Sequence, residues 1–211
     1  MIAVFSKENF KICCDQVARK DKDLAIVLRQ YGYPPLWSRS ASFGTLIHII
    51  LEQQVSLASA KAALNKLKDK IGRLTPNKIL ALSDAELKSR FFSRQKIIYA
   101  RHLAAAILSR ELDLKKLIGY PEEIIREKLK AIKGIGDWTV DVFLLMALHR
   151  NDVFPVGDLA LVNSIKQVKL LHPHTSKAEI LKLAESWRPY RSIATMLLWH
   201  AYLSKRKWGR A

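Results

Sequence analysis

Asp158 closes the run Phe154-Pro155-Val156-Gly157-Asp158 and stands ahead of Leu159, Leu161, Val162 and Ile165, which places its carboxylate at a loop-to-helix junction. Two kinds of chemistry are open to it there. As an N-cap it accepts a backbone N–H, common work for Asp. Facing a site, it can stabilise positive charge developing on a sugar and orient a water. Earlier in the chain, Gly134-Ile135-Gly136 separates two apolar patterns of helical period. Glycines let backbone approach a ligand closely, and the N–H groups that open the following helix have no partner within it. Such a helix start favours an anion, and a phosphate oxygen fits it. Ile135, between the glycines, can point inward and pin the turn. An ordinary helical hairpin with a glycine cap is the other reading. A dinucleotide fingerprint is not, because no third glycine follows at the needed spacing and no strand precedes.

The elements that must hold these residues read as helices. Residues 122–133 carry Ile124, Ile125, Leu129 and Ile132 on one face, with Pro121 suited to the first turn. Gly134 stops that helix, since glycine enters left-handed backbone without a Cβ clash. Residues 138–149 form the second helix, with Trp138, Val142 and Leu145 along one stripe, so the hairpin unit spans 129–149. Thr75-Pro76 reads as an N-cap followed by proline in the first turn, and Ser83-Asp84-Ala85-Glu86 as a capping box. Helical period recurs over 95–110, 176–186 and 193–203, and no alternating strand run stands out. The fold class expected is all-α. No repeat or low-complexity linker marks a boundary.

Composition bounds the partners. The 211 residues suffice for one sizeable core or two small ones, and 49% apolar content argues against disorder. A net charge of +17 is a strong footprint for a polyanion. The bland reading of some of it is solvated lysine faces, of the kind thermophile proteins also show, and the lysines from Lys61 to Lys70 fit that. Lys130 and Lys133, flanking the hairpin, are better phosphate candidates. Acidic membranes are a weaker partner, because no long basic amphipathic helix with a bulky aromatic face is present. No apolar run approaches a membrane span, and Lys7 and Lys11 interrupt any leader-like start. Cys13 and Cys14 are adjacent and staple nothing distant, so reduced thiols inside a cell, in cytoplasm or nucleoid, are expected.

Four segments, in order, resemble the helix-hairpin-helix (HhH-GPD) DNA glycosylase superfamily, and its 3-methyladenine DNA glycosylase II branch in particular. They are the run 43–56 ending Glu52-Gln53-Gln54-Val55-Ser56; Phe92-Ser93-Arg94-Gln95-Lys96 through Leu103-Ala104; the hairpin with the Asp158 loop; and Trp187-Arg188-Pro189-Tyr190-Arg191-Ser192 followed by Leu198-Trp199. The resemblance covers residues 23–203 and treats 1–211 as one glycosylase unit. It implies two helical subdomains with a DNA-binding cleft between them. One is central, residues 43–152, and carries the hairpin; the other is discontinuous, residues 1–42 plus 153–211. It also implies an enzyme that hydrolyses the N-glycosidic bond of alkylated purines in double-stranded damaged DNA, as a monomer, by flipping the nucleotide out of the duplex.

By position, the resemblance makes Asp158 the catalytic carboxylate and Gln54 the wedge that fills the vacated stack, with Gln53 supporting the loop from inside. Hydrogen bonding at a helix end is the plain alternative for Gln54. Gly134, Ile135, Gly136, Lys130 and Lys133 grip the phosphate backbone. Trp138 and Trp199 match pocket aromatics, where a cationic alkylated purine over an indole gains about 0.5–2 kcal/mol; packing is the alternative for both. The lyase members of the family place a lysine where this chain has Trp138, and no Schiff base forms at tryptophan, so a monofunctional enzyme using water is implied. Two cysteines cannot hold the four-cysteine iron–sulfur cluster of some relatives, and no catalytic metal or other cofactor is expected. A monovalent cation on the hairpin carbonyls, near Gly134, is known in the superfamily. The branch can carry an aromatic where Val142 stands, which leaves the preferred base open.

The remaining polar features are plainer. His172-Pro173-His174 lacks the further ligands a metal needs and reads as a surface turn. Glu122 and Glu123 are first-turn acids favoured by the helix dipole. Lys96 and Arg191 either support the site's loops or pair at the surface. Competing functional readings are a glycosylase for deaminated or oxidised bases, a DNA-binding module without catalysis, and a basic helical scaffold needing neither Asp158 nor an aromatic pocket.

Overall fold

The structure is a computed structural model and describes residues 3–208. Its helices, in chain order, begin with α1 (Phe10–Lys20) and α2 (Lys22–Tyr31). There follow α3 (Phe43–Glu52), α4 (Leu57–Ile71), α5 (Pro76–Ala81), α6 (Asp84–Lys88), α7 (Arg94–Leu108), α8 (Leu114–Leu117), α9 (Glu122–Lys130) and α10 (Asp137–Met146). The last are α11 (Leu159–Val168), α12 (Lys177–Ala184) and α13 (Arg191–Trp208), with a 3-10 turn at Glu185–Trp187. Among the described residues there is no strand beyond one isolated bridge, Val4 with Arg150, so the fold is all-α as expected. No helix of the described residues is long and apolar enough to cross a membrane.

Contacts divide the chain into two units, Met1–Ser38 with Leu144–Ala211, and Arg39–Phe143. The expected limits were 42/43 and 152/153. The difference at the second arises because residues beyond α10 join the N-terminal stretch: Phe5 N–H donates to His149 O at 2.9 Å and Asn151 N–H to Ala3 O at 3.1 Å. Two isolated extended pieces pairing across the chain leave no periodic signature in sequence.

In the discontinuous unit, α13 packs on α1, α2 and α11, and α1 lies against α2. Its core holds Val17, Leu24, Leu161, Ile165, Ile193 and Leu197, with Trp187 fully buried. Asp21 ties this core to its helices. Its carboxylate caps α2, accepting from Asp23 N at 3.0 Å and Leu24 N at 3.2 Å. It also accepts from Trp187 Nε1 at 2.7 Å and pairs with Lys169 Nζ at 2.5 Å. Burial alone would push this carboxyl up, yet Lys169, Trp187 and the Leu24 N–H together hold it below the usual carboxylate value. Cys13 and Cys14 are free, buried thiols in the same unit, and burial pushes Cys14 up to about 12.

In the continuous unit, α3 lies on α4 and α7, and α5 and α6 also meet α7. Leu46, Ile47, Ile50, Leu67 and Leu103 are fully buried, each such side chain contributing about 1.5–3 kcal/mol. The caps match the sequence: Thr75 caps α5, and Ser83 and Glu86 form a capping box on α6. Lys61, Lys66, Lys68 and Lys70 are exposed along α4. The hairpin helices are shorter than their patterns. The first stops at Lys130 and the turn occupies the next residues, with Pro121 at the N-cap rather than inside. The second runs 137–146, not 138–149. Ile125, Leu129 and Ile132 are buried, but Ile124 is exposed, because a face of four apolar positions with two adjacent is wider than the contact available.

Replacing Asp21 removes a cap and strands Lys169 and the Trp187 indole. Asp21→Ala is expected to lower stability at pH 7 by about 3–5 kcal/mol, measured by urea denaturation. Because the folded value of Asp21 lies below its unfolded one, its contribution is full above the ordinary carboxylate range and is lost as pH falls through the folded value. The gap between wild type and Asp21→Asn therefore narrows on acidification; a gap that widens would refute this role.

Candidate active site

Asp158 begins α11, and the loop that delivers it is fixed by the head of α13. Ser192 is fully buried; its Oγ donates to Arg150 O at 2.6 Å and accepts from Val153 N at 2.9 Å, while its N–H donates to Asn151 O at 3.0 Å. Arg191 grips the Asp152 carboxylate at 2.8 and 3.0 Å and the Asp152 carbonyl at 3.0 Å. Phe154 packs its ring on Trp187, centroids 5.9 Å apart. Two tight turns follow, Val156 N–H to Phe154 O and Asp158 N–H to Pro155 O, both 2.8 Å.

Asp158 caps α11 and is held by a second donor. Its Oδ1 accepts from Leu161 N at 2.8 Å, an N-cap. The same oxygen accepts from the Trp199 indole Nε1 at 3.1 Å. The side chain is half-buried, and the next residue, Leu159, is exposed. Trp199 itself is only 8% exposed. Trp37 stands edge-on to it, centroids 6.3 Å apart, and is half-buried. Sequence reasoning passed over Trp37, an isolated aromatic after two prolines.

In the other unit, the hairpin turns at Gly134, whose φ is +90°. A Cβ there would lie 2.0 Å from Tyr99 Cγ, so the turn is closed directly onto that ring. Ile135 points inward and is buried, its N–H donating to Ile132 O at 3.1 Å. Gly136 differs from Gly134: it is exposed, and a Cβ there would meet nothing within 4 Å. Gln53, at the end of α3, clamps the hairpin from behind, with Nε2 donating to Gly134 O and Thr139 Oγ1, both at 2.9 Å. Gln54 follows with φ 57° and an exposed side chain. A left-handed non-glycine residue costs about 1–2 kcal/mol, and such strain concentrates where function requires a fixed geometry.

Trp138 lies half-buried in the first turn of α10, whereas Val142, one turn on, is buried in the core. Lys133 is exposed beside the turn. Lys130 is also exposed, but its Nζ pairs with Asp137 Oδ1 at 2.7 Å, so an arriving phosphate would have to compete for it. Lys96 is buried, donates Nζ to Leu51 O at 2.7 Å, and ends α3 just ahead of Gln53; burial lowers its pKa. Asp141, beneath Trp138 on α10, is pushed up to about 6 by burial, against the pull of Arg126 at 2.7 Å. Glu122 accepts from the same Arg126 Nη2 at 2.7 Å and from Nε at 2.9 Å.

A monovalent cation would draw on hairpin carbonyls. Those of Ile132 and Gly134 accept from Ile135 N–H and Gln53 Nε2, each keeping a second lone pair. Among the described residues, no three His, Cys, Asp or Glu side chains gather as a metal site. His172 and His174 sit in an exposed turn, rings 5.3 Å apart. Tyr99 carried no sequence signal, and the contacts of Ser192 and Thr139 could not be read from the motifs that contain them: each matters through a partner far along the chain.

A family model described as HhH-GPD superfamily base excision DNA repair protein matches residues 47–189. The chain is similar to DNA-3-methyladenine glycosylase 1 of Schizosaccharomyces pombe, 33% identical over 159 residues, covering 73% of this chain and 69% of that protein. It is also 28% identical over 186 residues to the Bacillus subtilis protein YfjP, covering 84% of this chain but 65% of that relative's length. Among solved structures, the S. pombe 3-methyladenine DNA glycosylase in complex with abasic DNA superposes with a TM-score of 0.83 at 28% identity, covering 89% of this chain and 94% of that one.

The two hairpin glycines are expected to respond differently to a methyl group. Gly134→Ala combines a left-handed backbone with a clash against Tyr99 and should cost about 2–5 kcal/mol in urea denaturation. Tyr99→Ala in the same chain relieves only the clash and restores part of that. Gly136→Ala should stay within about 1 kcal/mol; equal losses at the two positions would show that they do not have different jobs.

Proposed function

The chain belongs to the HhH-GPD superfamily of base excision DNA repair proteins, and from that premise we propose that it is a DNA N-glycosylase. It hydrolyses the N-glycosidic bond of alkylated purines in double-stranded DNA and leaves an abasic site. It works as a monomer, inside the cell with its DNA. The observation that carries the reading is the Asp158 carboxylate, delivered by a braced loop and held through Oδ1 by a helix N–H and an indole N–H.

The reaction follows from the chemistry of the bond. An alkylated purine is cationic and leaves readily, so no strong general acid is required. As the C–N bond breaks, the base departs with the electron pair and the sugar gains oxocarbenium character. A carboxylate fixed before the reaction stabilises that charge without reorganising, and the same group orients the water that adds to the sugar. Asp158 fills this role. Two donors on one of its oxygens fix its direction.

The hairpin supplies the grip. Gly136 leaves open space at the turn, the first N–H groups of α10 follow it, and Lys133 adds charge, which suits a phosphate. Gln54 fills the stack, and Gln53 fixes its footing. Trp138 offers an indole face to the cationic base. Trp138 also stands where lyase relatives carry their nucleophilic lysine, so the product retains an intact strand. The Gly134 carbonyl keeps one lone pair for a monovalent cation, and no step depends on that ion.

Incubation with duplexes bearing 3-methyladenine, 7-methylguanine, hypoxanthine, uracil or 8-oxoguanine tests the reading by free base released. Methylated bases are expected to leave without strand cleavage. Release of only hypoxanthine, uracil or 8-oxoguanine would keep Asp158 and replace the substrate, as the buried Val142 allows. Asp158→Asn should lower the rate by about 10²–10³-fold or more with duplex binding retained. Trp199→Phe, which deletes the indole donor, should lower it about 10- to 100-fold. Base release unchanged in Asp158→Asn would sink the proposal, and tight binding with no release from any duplex would favour a binding module.

A further inference from the structure

We propose that Phe91 is a base-stacking platform, and that the groove between it and Val55 takes the flat face of a nucleobase unstacked when a nucleotide leaves the duplex. This rests on the reading that the chain flips nucleotides, and it adds a contact that the reading does not need.

Three features of Phe91 have no account in the fold. It is 58% exposed, although its neighbour Phe92 is buried and supplies the packing at this corner. Its φ is +66°, in the left-handed region. It ends α6 in the manner of a helix-closing glycine, with its N–H on Lys88 O at 2.9 Å and the Phe92 N–H on Leu87 O at 3.2 Å. A bulky residue in glycine's conformation, more than half exposed, gains only the contact with Lys66 there, an exposed cation–π pair that is worth less than the left-handed backbone costs. Strain of this kind points to a task outside the fold.

The surroundings say what the task is. Phe91 lines a groove of about 330 Å³ with Leu51, Val55, Ala60, Ala63 and Lys96. Ser59, Ala60, Ala62 and Ala63 of α4 line it with small side chains. Val55 is 45% exposed and directly follows Gln54, which is itself left-handed, so the wedge turn and the Phe91 turn border one groove. No carboxylate lines it; the one charged lining residue is Lys96. Lys66 Nζ stands over the Phe91 ring, 4.1 Å from its centroid. An aromatic ring that already carries a cation matches a nucleobase and the phosphate that follows it, whereas a purely apolar peptide would leave the cation unanswered. Base-on-aromatic stacking tolerates any base, which suits a site beside a lesion in arbitrary sequence.

The test uses the full chain and duplexes containing an abasic-site analogue, with 2-aminopurine opposite or adjacent to it, compared with undamaged duplex. Phe91→Gly relieves the backbone strain, so its melting temperature should rise by roughly 2–6 °C. Its affinity for the abasic duplex should nevertheless fall about 5- to 100-fold, with loss of 2-aminopurine quenching. Phe91→Tyr should keep both affinity and quenching. Undamaged duplex should bind Phe91→Gly and wild type alike. A Phe91→Gly protein that binds the abasic duplex within twofold of wild type overturns the inference, as does an equal loss on undamaged DNA. A shift in oligomeric state of Phe91→Gly without DNA also overturns it, since the groove would then serve a second copy. If wild type itself shows no preference for the abasic duplex, the glycosylase reading is what fails, and that result is separate from any difference between variants.

Discussion

A carboxylate at a loop-to-helix junction swings freely unless something holds it, and on this chain one oxygen atom is held twice. Oδ1 of Asp158 takes the Leu161 N–H at the start of α11 and the Trp199 indole N–H from α13. Neither can rotate away, because one is backbone and the other belongs to a buried ring. Much of the discontinuous unit is arranged around that atom. Ser192 and Arg191 hold the entry of the loop, and Phe154 packs on Trp187, whose indole N–H is bound in turn by Asp21. The cap and the indole together fix the direction of the carboxylate.

The continuous unit solves a different problem, that of keeping a short turn between two helices from collapsing. Gly134 is pressed against Tyr99, Ile135 is buried, and the Gln53 amide spans from the Gly134 carbonyl to Thr139. With one glycine consumed by packing, Gly136 is left facing open space. Lys96 secures the α3 end from which Gln53 and Gln54 project. Three of the five left-handed non-glycine residues among those described, Gln54, Phe91 and Arg110, lie in this unit's turns: Gln54 is strained and exposed immediately after a residue that is firmly bonded, and Phe91 follows α6. A strained residue persists only when its neighbours over-determine it, and here they do.

The charge of the chain is best divided by what each cation touches. Lys96, Lys169, Arg126 and Arg191 are committed to internal acceptors and belong to the fold. Lys133 is exposed at the hairpin, Lys66 stands over the Phe91 ring, and Lys130 shares its charge with Asp137. A net charge of +17 thus overstates the number of groups available to a polyanion. The groups at the turns matter more than the total.

Sequence by itself determined what local physics determines. Apolar period gave the helices, Thr75 and Ser83 gave their starts, Gly134 gave the turn, and Asp158 was placed at a helix N-terminus, because each of these depends on residues within a few positions of one another. The ordered motifs added the family. Tertiary structure decided the rest. That Trp199 binds Asp158, that Tyr99 forbids a side chain at residue 134, that Ser192 braces the loop, and that residues 149–151 pair with the N-terminal stretch all join positions far apart in the chain. Such contacts leave no period and no spacing to read. They exist only once two distant segments have been brought to the same place by the cores that the local patterns build.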